Sequence, residues 1–329
     1  MIEVGLIGSG FMSRVHASRF DNIDGAEVTA VASPSYPEEF AREFAPDATV
    51  FDDATELFDE TDVDAVDVCT PTPTHRKLVE AAADRGLDVL CEKPLERTLE
   101  EGAAIADAVS DAGVTLMTGH VLRFFPQYRS AKERVDAGEI GTPGTVTCLR
   151  QSPLPDTDTW FHDGKMSGGV LHDLAIHDFD FLRWAIGDVE SVFARRVEAG
   201  DDRYATATLK FENGAVGKVD ARWPTDDSIP FVTEFELAGD EGLIEYRSED
   251  ENPIEIHTSV DEPPSRDPVD MVLDKDPYRL ELEHFLSCIR DGSEPMITVD
   301  DAIEAMRISL AARESVKRGV PVSPGELTA

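Results

Sequence analysis

The residues able to do chemistry fall in three clusters. In Val89-Leu90-Cys91-Glu92-Lys93-Pro94 an apolar run ends in a lysine pinned between an acid and a proline. In the segment from Ser167-Gly168-Gly169 to His172-Asp173-Leu174-Ala175-Ile176-His177, paired glycines allow close backbone approach to a ligand. Asp173 and His177 stand four apart, so on a helix they share one face. Far upstream, Gly8-Ser9-Gly10-Phe11-Met12-Ser13 joins an apolar run to a helical pattern. The first glycine allows a tight turn, the second lets backbone amides approach a pyrophosphate, and the helix N-terminus adds partial positive charge. A lysine at the carboxyl end of a parallel strand faces whatever binds there. The pattern reads as a nucleotide-dependent enzyme.

These clusters need elements to position them. Over the first 120 residues, strand candidates at Val4–Ile7, Val28–Ala32, Ala65–Cys69, Val89–Cys91 and Thr115–Thr118 alternate with helical patterns. The helices are expected at Phe11–Phe20, Glu38–Phe44, Thr74–Arg85 and Leu99–Asp111. Such alternation predicts right-handed βαβ units in a doubly wound parallel sheet of α/β class. Continuous apolar strands, without polar alternation, fit burial on both faces. Beyond residue 120 the grammar changes. Helices are expected at Pro126–Ala137 and Asp173–Ile186, with strands at Val146–Leu149, Ser191–Val197, Tyr204–Phe211, Ala215–Ala221, Thr233–Leu237 and Leu243–Tyr246. Glu212-Asn213-Gly214 is a hairpin signal, so these strands predict an open antiparallel sheet in an α+β domain. Asp261–Pro277 reads as an exposed loop, and helices near Tyr278–Arg290 and Val299–Lys317 close the chain. The expected division is 1–120 and 121–329, with packing of the C-terminal helices back on the first domain left open.

Composition narrows the partners. The net charge is −37, from 67 acids against 30 bases, of which eight are lysines. A carboxylate surface this dense fits a protein adapted to high salt, where screening shortens the reach of self-repulsion. It also disfavours nucleic acid and anionic membranes, which it would repel. There is no apolar run of 18 or more residues and no leader pattern, so neither a signal peptide nor a membrane span is expected. Cys69, Cys91, Cys148 and Cys288 are far apart without C-x-x-C pairing. They read as buried thiols in a reducing cytoplasm rather than a disulfide framework or metal site.

The glycine turn departs from the usual fingerprint at its third position, where Ser13 is still small enough for close helix–strand packing. The second strand ends at Ser33, where a carboxylate for the adenosine ribose usually stands. No acid there would repel a 2′-phosphate, and no Arg follows to bind one. NADP or NAD is therefore expected, with a lean to NADP.

Together, Thr70-Pro71-Thr72-Pro73-Thr74-His75, Glu92-Lys93-Pro94 and the glycine-led Asp173/His177 segment, in this order, resemble the Gfo/Idh/MocA oxidoreductase family. Arg123-Phe124 with Pro126, the Trp160 loop and the Asn-Gly hairpin extend the likeness along nearly the whole chain. The resemblance implies an N-terminal Rossmann domain, then an α+β domain whose open sheet commonly mediates oligomers, here a homodimer or homotetramer. It implies hydride transfer between NAD(P) and a carbinol carbon of a sugar, polyol or related alcohol. Carried over by matching position, Lys93, Asp173 and His177 form the catalytic group, and the Lys93-Pro94 bond is often cis in such proteins. Gly8, Ser9, Gly10, Phe11, Met12, Ser33, Thr70, Pro71, Glu92 and Lys93 would line the cofactor site. His75 would lie near the cofactor or simply start a helix.

The chemistry suits that set. His177 is assigned as general base, since imidazole titrates near working pH. Lys93 would hydrogen-bond the reacting oxygen, and Asp173 would position substrate or tune the other two. Which of Lys93 and His177 moves the proton is left open. Arg123 and Trp160 are candidates for facing substrate, with His162, Asp163 and Lys165 on the same loop as Trp160. His172 points away from His177 and is taken as non-catalytic, and no resident metal is expected. Taken singly, a helical Asp/His pair or a strand-end Lys is commonly a solvated surface group; their conjunction favours catalysis. Two alternatives are a sugar–sugar oxidoreductase holding NADP tightly and a non-catalytic sensor of the same fold.

Overall fold

Short runs rich in Val, Ile, Leu and Ala, apolar on both faces, must be covered on both faces, and the N-terminal part of the chain meets that demand with a parallel sheet. The computed structural model describes residues 1–154, 159–197, 203–226, 228–250, 254–258 and 276–328. They divide into a first unit, Met1–Phe124 with Asp274–Ile303, and a second, Phe125–Leu273 with Glu304–Thr328.

In the first unit β1 (Ile2–Ile7), α1 (Phe11–Phe20), β2 (Ala26–Ala32), α2 (Pro37–Phe44), β3 (Thr49–Phe51), α3 (Ala54–Glu60) and β4 (Ala65–Val68) follow one another. Then come α4 (His75–Ala83), β5 (Asp88–Cys91), α5 (Leu99–Ala112) and β6 (Leu116–Thr118). The strands pair in parallel in the order β3-β2-β1-β4-β5-β6. The order reverses between β1 and β4, and in such sheets the ligand crevice opens at the carboxyl ends around that point. β3 and α3 stand in addition to the elements expected from sequence. β3 is only three residues long, too short for a period to show. α3 rests on its cap, the Asp53 side chain accepting the Thr55 N–H at 2.7 Å.

The second unit holds α6 (Pro126–Asp136), β7 (Pro143–Gln151), α7 (Val170–Asp173) and α8 (Ile176–Ile186). Six further strands follow: β8 (Val189–Arg196), β9 (Tyr204–Phe211), β10 (Val216–Arg222), β11 (Val232–Gly239), β12 (Gly242–Arg247) and β13 (Ile254–Thr258). The seven-stranded sheet runs β13-β12-β11-β7-β10-β9-β8. It is antiparallel except between β7 and β10, which pair in parallel. The long connection through α7 and α8 permits that one parallel pair. The Asn213-Gly214 turn joins β9 to β10 as expected, and β9 alternates exposed and buried residues along its whole length.

The chain then returns to the first unit. Leu282, Phe285 and Leu286 of α9 (Pro277–Asp291) pack into the core beside Ile2, Val4, Phe20 and Leu90. The last helix, α10 (Val299–Arg318), starts in the first unit and passes into the second at Glu304. The connection expected over 261–277 falls outside the described residues up to 275, as do 155–158 of the Trp160 loop.

Candidate active site

The carboxyl ends of β1, β2, β4 and β5 gather the residues expected to hold a dinucleotide. Gly8 ends the β1 run with φ +115°, and a Cβ there would stand 2.4 Å from the Cys69 carbonyl oxygen, so only glycine lets the ends of β1 and β4 close up. Ser13 is wholly buried in the same place, its Oγ donating to the Cys69 carbonyl at 3.4 Å. Gly10 caps α1 without any side-chain hydrogen bond, and a Cβ on it would meet nothing within 4 Å. The first turn of α1 thus has no side-chain cap and space beside its cap residue, which suits a pyrophosphate. Phe11 is exposed on the rim and Met12 is partly buried.

Ser33, just past β2, lies 2.9 Å Oγ to Oγ from Ser9, and Ser9 also donates to the Ser35 carbonyl at 2.7 Å. Hydroxyls therefore stand where a ribose carboxylate is common. Thr70 and Pro71 follow β4 and are braced by Thr74, whose Oγ1 lies 2.8 Å from both Thr70 Oγ1 and the Pro71 carbonyl. These groups fit NAD or NADP.

Lys93 follows β5, half-buried, and its bond to Pro94 is cis. Glu92 beside it is buried, and its Oε2 accepts the Lys93 backbone N–H at 3.1 Å. Burial pushes the Glu92 carboxyl above its usual range, against the pull of His16 and Lys93.

His75 takes the second of the two places expected of it, the start of a helix. It starts α4 fully buried, with Nδ1 3.0 Å from the Pro94 carbonyl and Nε2 2.8 Å from the Thr70 carbonyl. It ties the Thr70 loop to the Lys93-Pro94 turn, and burial lowers its pKa. Arg123, a candidate for facing substrate, is packed into the first unit. Its buried guanidinium donates to the Met296 carbonyl at 2.9 Å and to Asp301 at 3.1 Å, holding the start of α10.

In the second unit the single helix expected over Asp173–Ile186 is broken. Asp173 ends α7 and His177 sits in the first turn of α8. Between them the Ala175 N–H reaches the Val170 carbonyl five residues back at 2.9 Å, a widened turn of π type. Asp173 is buried and His177 half-buried. Gly168, at φ +80°, leaves room for the His172 ring, which a Cβ would meet at 2.6 Å. His172 is buried with Nδ1 2.7 Å from Ser309 Oγ. Trp160 stacks on Phe161 at 4.0 Å, and a shallow cleft beside them is lined by Phe161, His162, Gly169, Arg203 and Trp223.

Two groups of residues escaped the sequence reading. Arg150 on β7 and Asp178 on α8 form a buried two-pronged ion pair. His16, Asp67 and Cys69 bring ligand-type atoms within 4.8 Å of one another, buried beneath Glu92. One signal was legible: Asp67 is an acid inside the apolar run Ala65-Val66-Asp67-Val68. Among the described residues no helix is long and apolar enough to cross a membrane.

A parallel sheet with a glycine turn at its switch point and a lysine at a strand end defines a dinucleotide-dependent oxidoreductase. The chain belongs to the Gfo/Idh/MocA family: residues 2–120 match the oxidoreductase family with an NAD-binding Rossmann fold, and 128–245 match the Gfo/Idh/MocA C-terminal domain. It is 31% identical to scyllo-inositol 2-dehydrogenase (NAD(+)) of Bacillus subtilis (strain 168), over 98% of this chain and 96% of that protein. It is 29% identical to D-xylose 1-dehydrogenase (NADP(+)) 2 of Haloferax volcanii, over 97% and 98%. Among solved structures it resembles a probable dehydrogenase from Thermotoga maritima, with TM-score 0.83 and 28% identity over 99% of this chain and all of that one.

Proposed function

We propose that this protein transfers a hydride between NAD(P) and a carbinol carbon of a sugar, polyol or related alcohol, with Lys93, Asp173 and His177 as its catalytic group. The observation that carries the reading is Lys93 at the carboxyl end of β5, in the sheet whose order reverses beside it at β1 and β4. The substrate class follows the names of the relatives, which are inositol and sugar dehydrogenases. NAD(P), held at Gly8–Met12, Ser33, Thr70 and Pro71, supplies or accepts the hydride when bound. His177 takes the hydroxyl proton as general base. The Lys93 ammonium hydrogen-bonds the reacting oxygen and stabilises the negative charge that develops there. Asp173 orients the substrate, with Trp160 on the loop that shapes its pocket.

Several finer readings accompany this one. Ser9, Ser33 and Ser35 in place of an acid favour NADP. The exposed side of β9 and β10, which carries Tyr204 and Val216, favours a homodimer or homotetramer through the sheet. The charge of −37 and so few lysines favour work in a salt-rich cytoplasm.

The test is a fluorescence titration of the purified protein with NADH and NADPH in high salt. The oxidised form of the tighter cofactor is then screened against inositols, aldoses and anhydrosugars. Saturable binding with turnover supports the dehydrogenase. Tight retention of nucleotide through purification, with exchange between two sugars, would favour the sugar–sugar oxidoreductase. Binding with no turnover on any alcohol would favour a sensor.

A further inference from the structure

Beneath the Lys93 turn lies a group of ionisable side chains that the reaction above does not use. His16, on α1, is fully buried. Its Nδ1 lies 2.8 Å from Asp67 Oδ2 on β4, and its Nε2 is 3.7 Å from Glu92 Oε1. The Cys69 thiol donates to Asp67 Oδ1 at 3.3 Å and touches His16 Nδ1 at 3.4 Å. From α9, Glu281 faces the same group with both carboxyl oxygens buried and without a hydrogen-bond partner among the described residues. The Tyr278 ring is 6.4 Å from the imidazole. Thus Asp67, Cys69, Glu92 and Glu281 all face one imidazole, with Lys93 beyond Glu92.

Three buried carboxyls around a single base cannot all ionise without a counter-charge. The geometry gives that role to His16. Donation from Nδ1 to Asp67 fixes the ring, and Nε2, without a hydrogen-bond partner among the described residues, stands 3.7 Å from Glu92 Oε1, an ion-pair distance. Glu92 in turn holds the Lys93 backbone through its other oxygen, at 3.1 Å. Gly119 leaves room for that carboxylate, since a Cβ there would stand 3.3 Å from it.

We propose that His16 is a positioning residue for Lys93: held as an imidazolium by Asp67, it fixes the Glu92 carboxylate that anchors the lysine's own backbone. The proposal rests on the assignment of Lys93 to the reaction. The charge balance agrees with it. Burial alone would lower the His16 pKa, but Asp67, by charge and hydrogen bond, with Glu92 and Glu281 behind it, raises it to about 9. Burial holds the Glu281 carboxyl well above its usual range, so it sits neutral beside the pair. The short contact from Nδ1 to Asp67 is that of a hydrogen bond, which favours a proton rather than a metal ion among His16, Asp67 and Cys69.

The first measurement needs no substrate. The full-length protein, labelled at histidine, is titrated by NMR, and the His16 signal is identified by its loss in His16→Gln. A midpoint near 9 is expected; a midpoint near the ordinary 6.5 overturns the proposal. One equivalent of a tightly held transition metal in the purified protein also overturns it. Turnover is then compared on whichever alcohol the wild type oxidises. His16→Gln is expected to lower kcat by about a hundredfold, the scale of a misplaced reacting group, with KM and nucleotide affinity within about threefold. The fall in kcat near pH 9 should vanish in that variant. An unchanged kcat and pH profile in His16→Gln, with Lys93→Ala inactive, sinks the positioning role alone. Full activity in both variants sinks the Lys93 reading itself. If His16→Gln does not fold, Asp67→Asn serves instead. It removes the carboxylate that holds the imidazolium, so the histidine midpoint near 9 should fall and thereby identify itself, and an unmoved midpoint overturns the proposal.

Discussion

Arg150 and Asp178 meet as a closed pair inside the second unit, Nε to Oδ2 at 2.9 Å and Nη2 to Oδ1 at 2.9 Å, both side chains almost inaccessible. The pair ties β7 to the first turn of α8, one residue after His177. Burial lowers and Asp178 raises the Arg150 pKa, with a net upward shift.

Breaking that pair leaves one buried charge alone. Asp178→Ala is expected to cost about 3–5 kcal/mol, whereas Arg150→Met with Asp178→Leu should cost much less, since replacing both partners of a buried pair is often near neutral. Urea midpoints of the three proteins check this. Equal losses would mean the pair contributes by packing alone.

Lys93→Ala should leave NAD(P) affinity within a few-fold and reduce turnover at least about a hundredfold, the scale of acid–base and electrostatic contributions. Steady-state kinetics beside a fluorescence titration decide it. Near-normal turnover would remove Lys93 from the reaction.

Gly8→Ala places a Cβ 2.4 Å from the Cys69 carbonyl at φ +115°. The backbone strain alone is about 1–3 kcal/mol, and the clash must push apart the ends of β1 and β4. A lowered melting temperature together with weakened NADH and NADPH binding is expected. Unchanged binding would show that the glycine turn is not the nucleotide cradle.

The buried network gives stability a definite pH slope. The His16 pKa is raised from 6.5 to about 9 on folding, so its contribution is complete below pH 6.5 and is lost as pH rises through 9. At about 1.4 kcal/mol per unit that is on the order of 3 kcal/mol. Glu92 and Glu281, both raised by burial, act in the same direction because the unfolded chain releases their protons first. Denaturation midpoints should therefore fall from pH 6.5 to 9.5, less steeply in Glu281→Gln. A rise over that range would contradict the proton count.

The surface charge predicts a salt response. With a net charge of −37, self-repulsion should weaken as the screening length falls from about 10 Å at 0.1 M to about 3 Å at 1 M. Thermal melts from 0.1 to 2 M potassium chloride should move upward. A melting point independent of salt would argue against adaptation to a salt-rich interior.

What the sequence by itself determined is what neighbouring residues decide. Gly8-Ser9-Gly10 declares a tight turn because the absent side chains act on their own backbone. The apolar runs of β1, β2, β4 and β5 declare burial on both faces, and Asn213-Gly214 declares a hairpin. Lys93 could be placed at a strand end because Val89–Cys91 is continuous and Pro94 stops it. The tertiary structure decided what distant segments do to one another. His16 and Asp67, 51 residues apart, meet only when α1 lies over β4, and Glu281 reaches them only because α9 returns to the first unit. Arg123 carries a free-looking charge in sequence, yet packing gives it to the Met296 carbonyl and Asp301. His75 is absorbed in the same way by two backbone carbonyls. The break between Asp173 and His177 is hidden too, since Leu174-Ala175 has ordinary helix formers. Periodicity reports which face a residue takes on its own element; the partner it finds there is fixed by packing and desolvation, which no local pattern encodes.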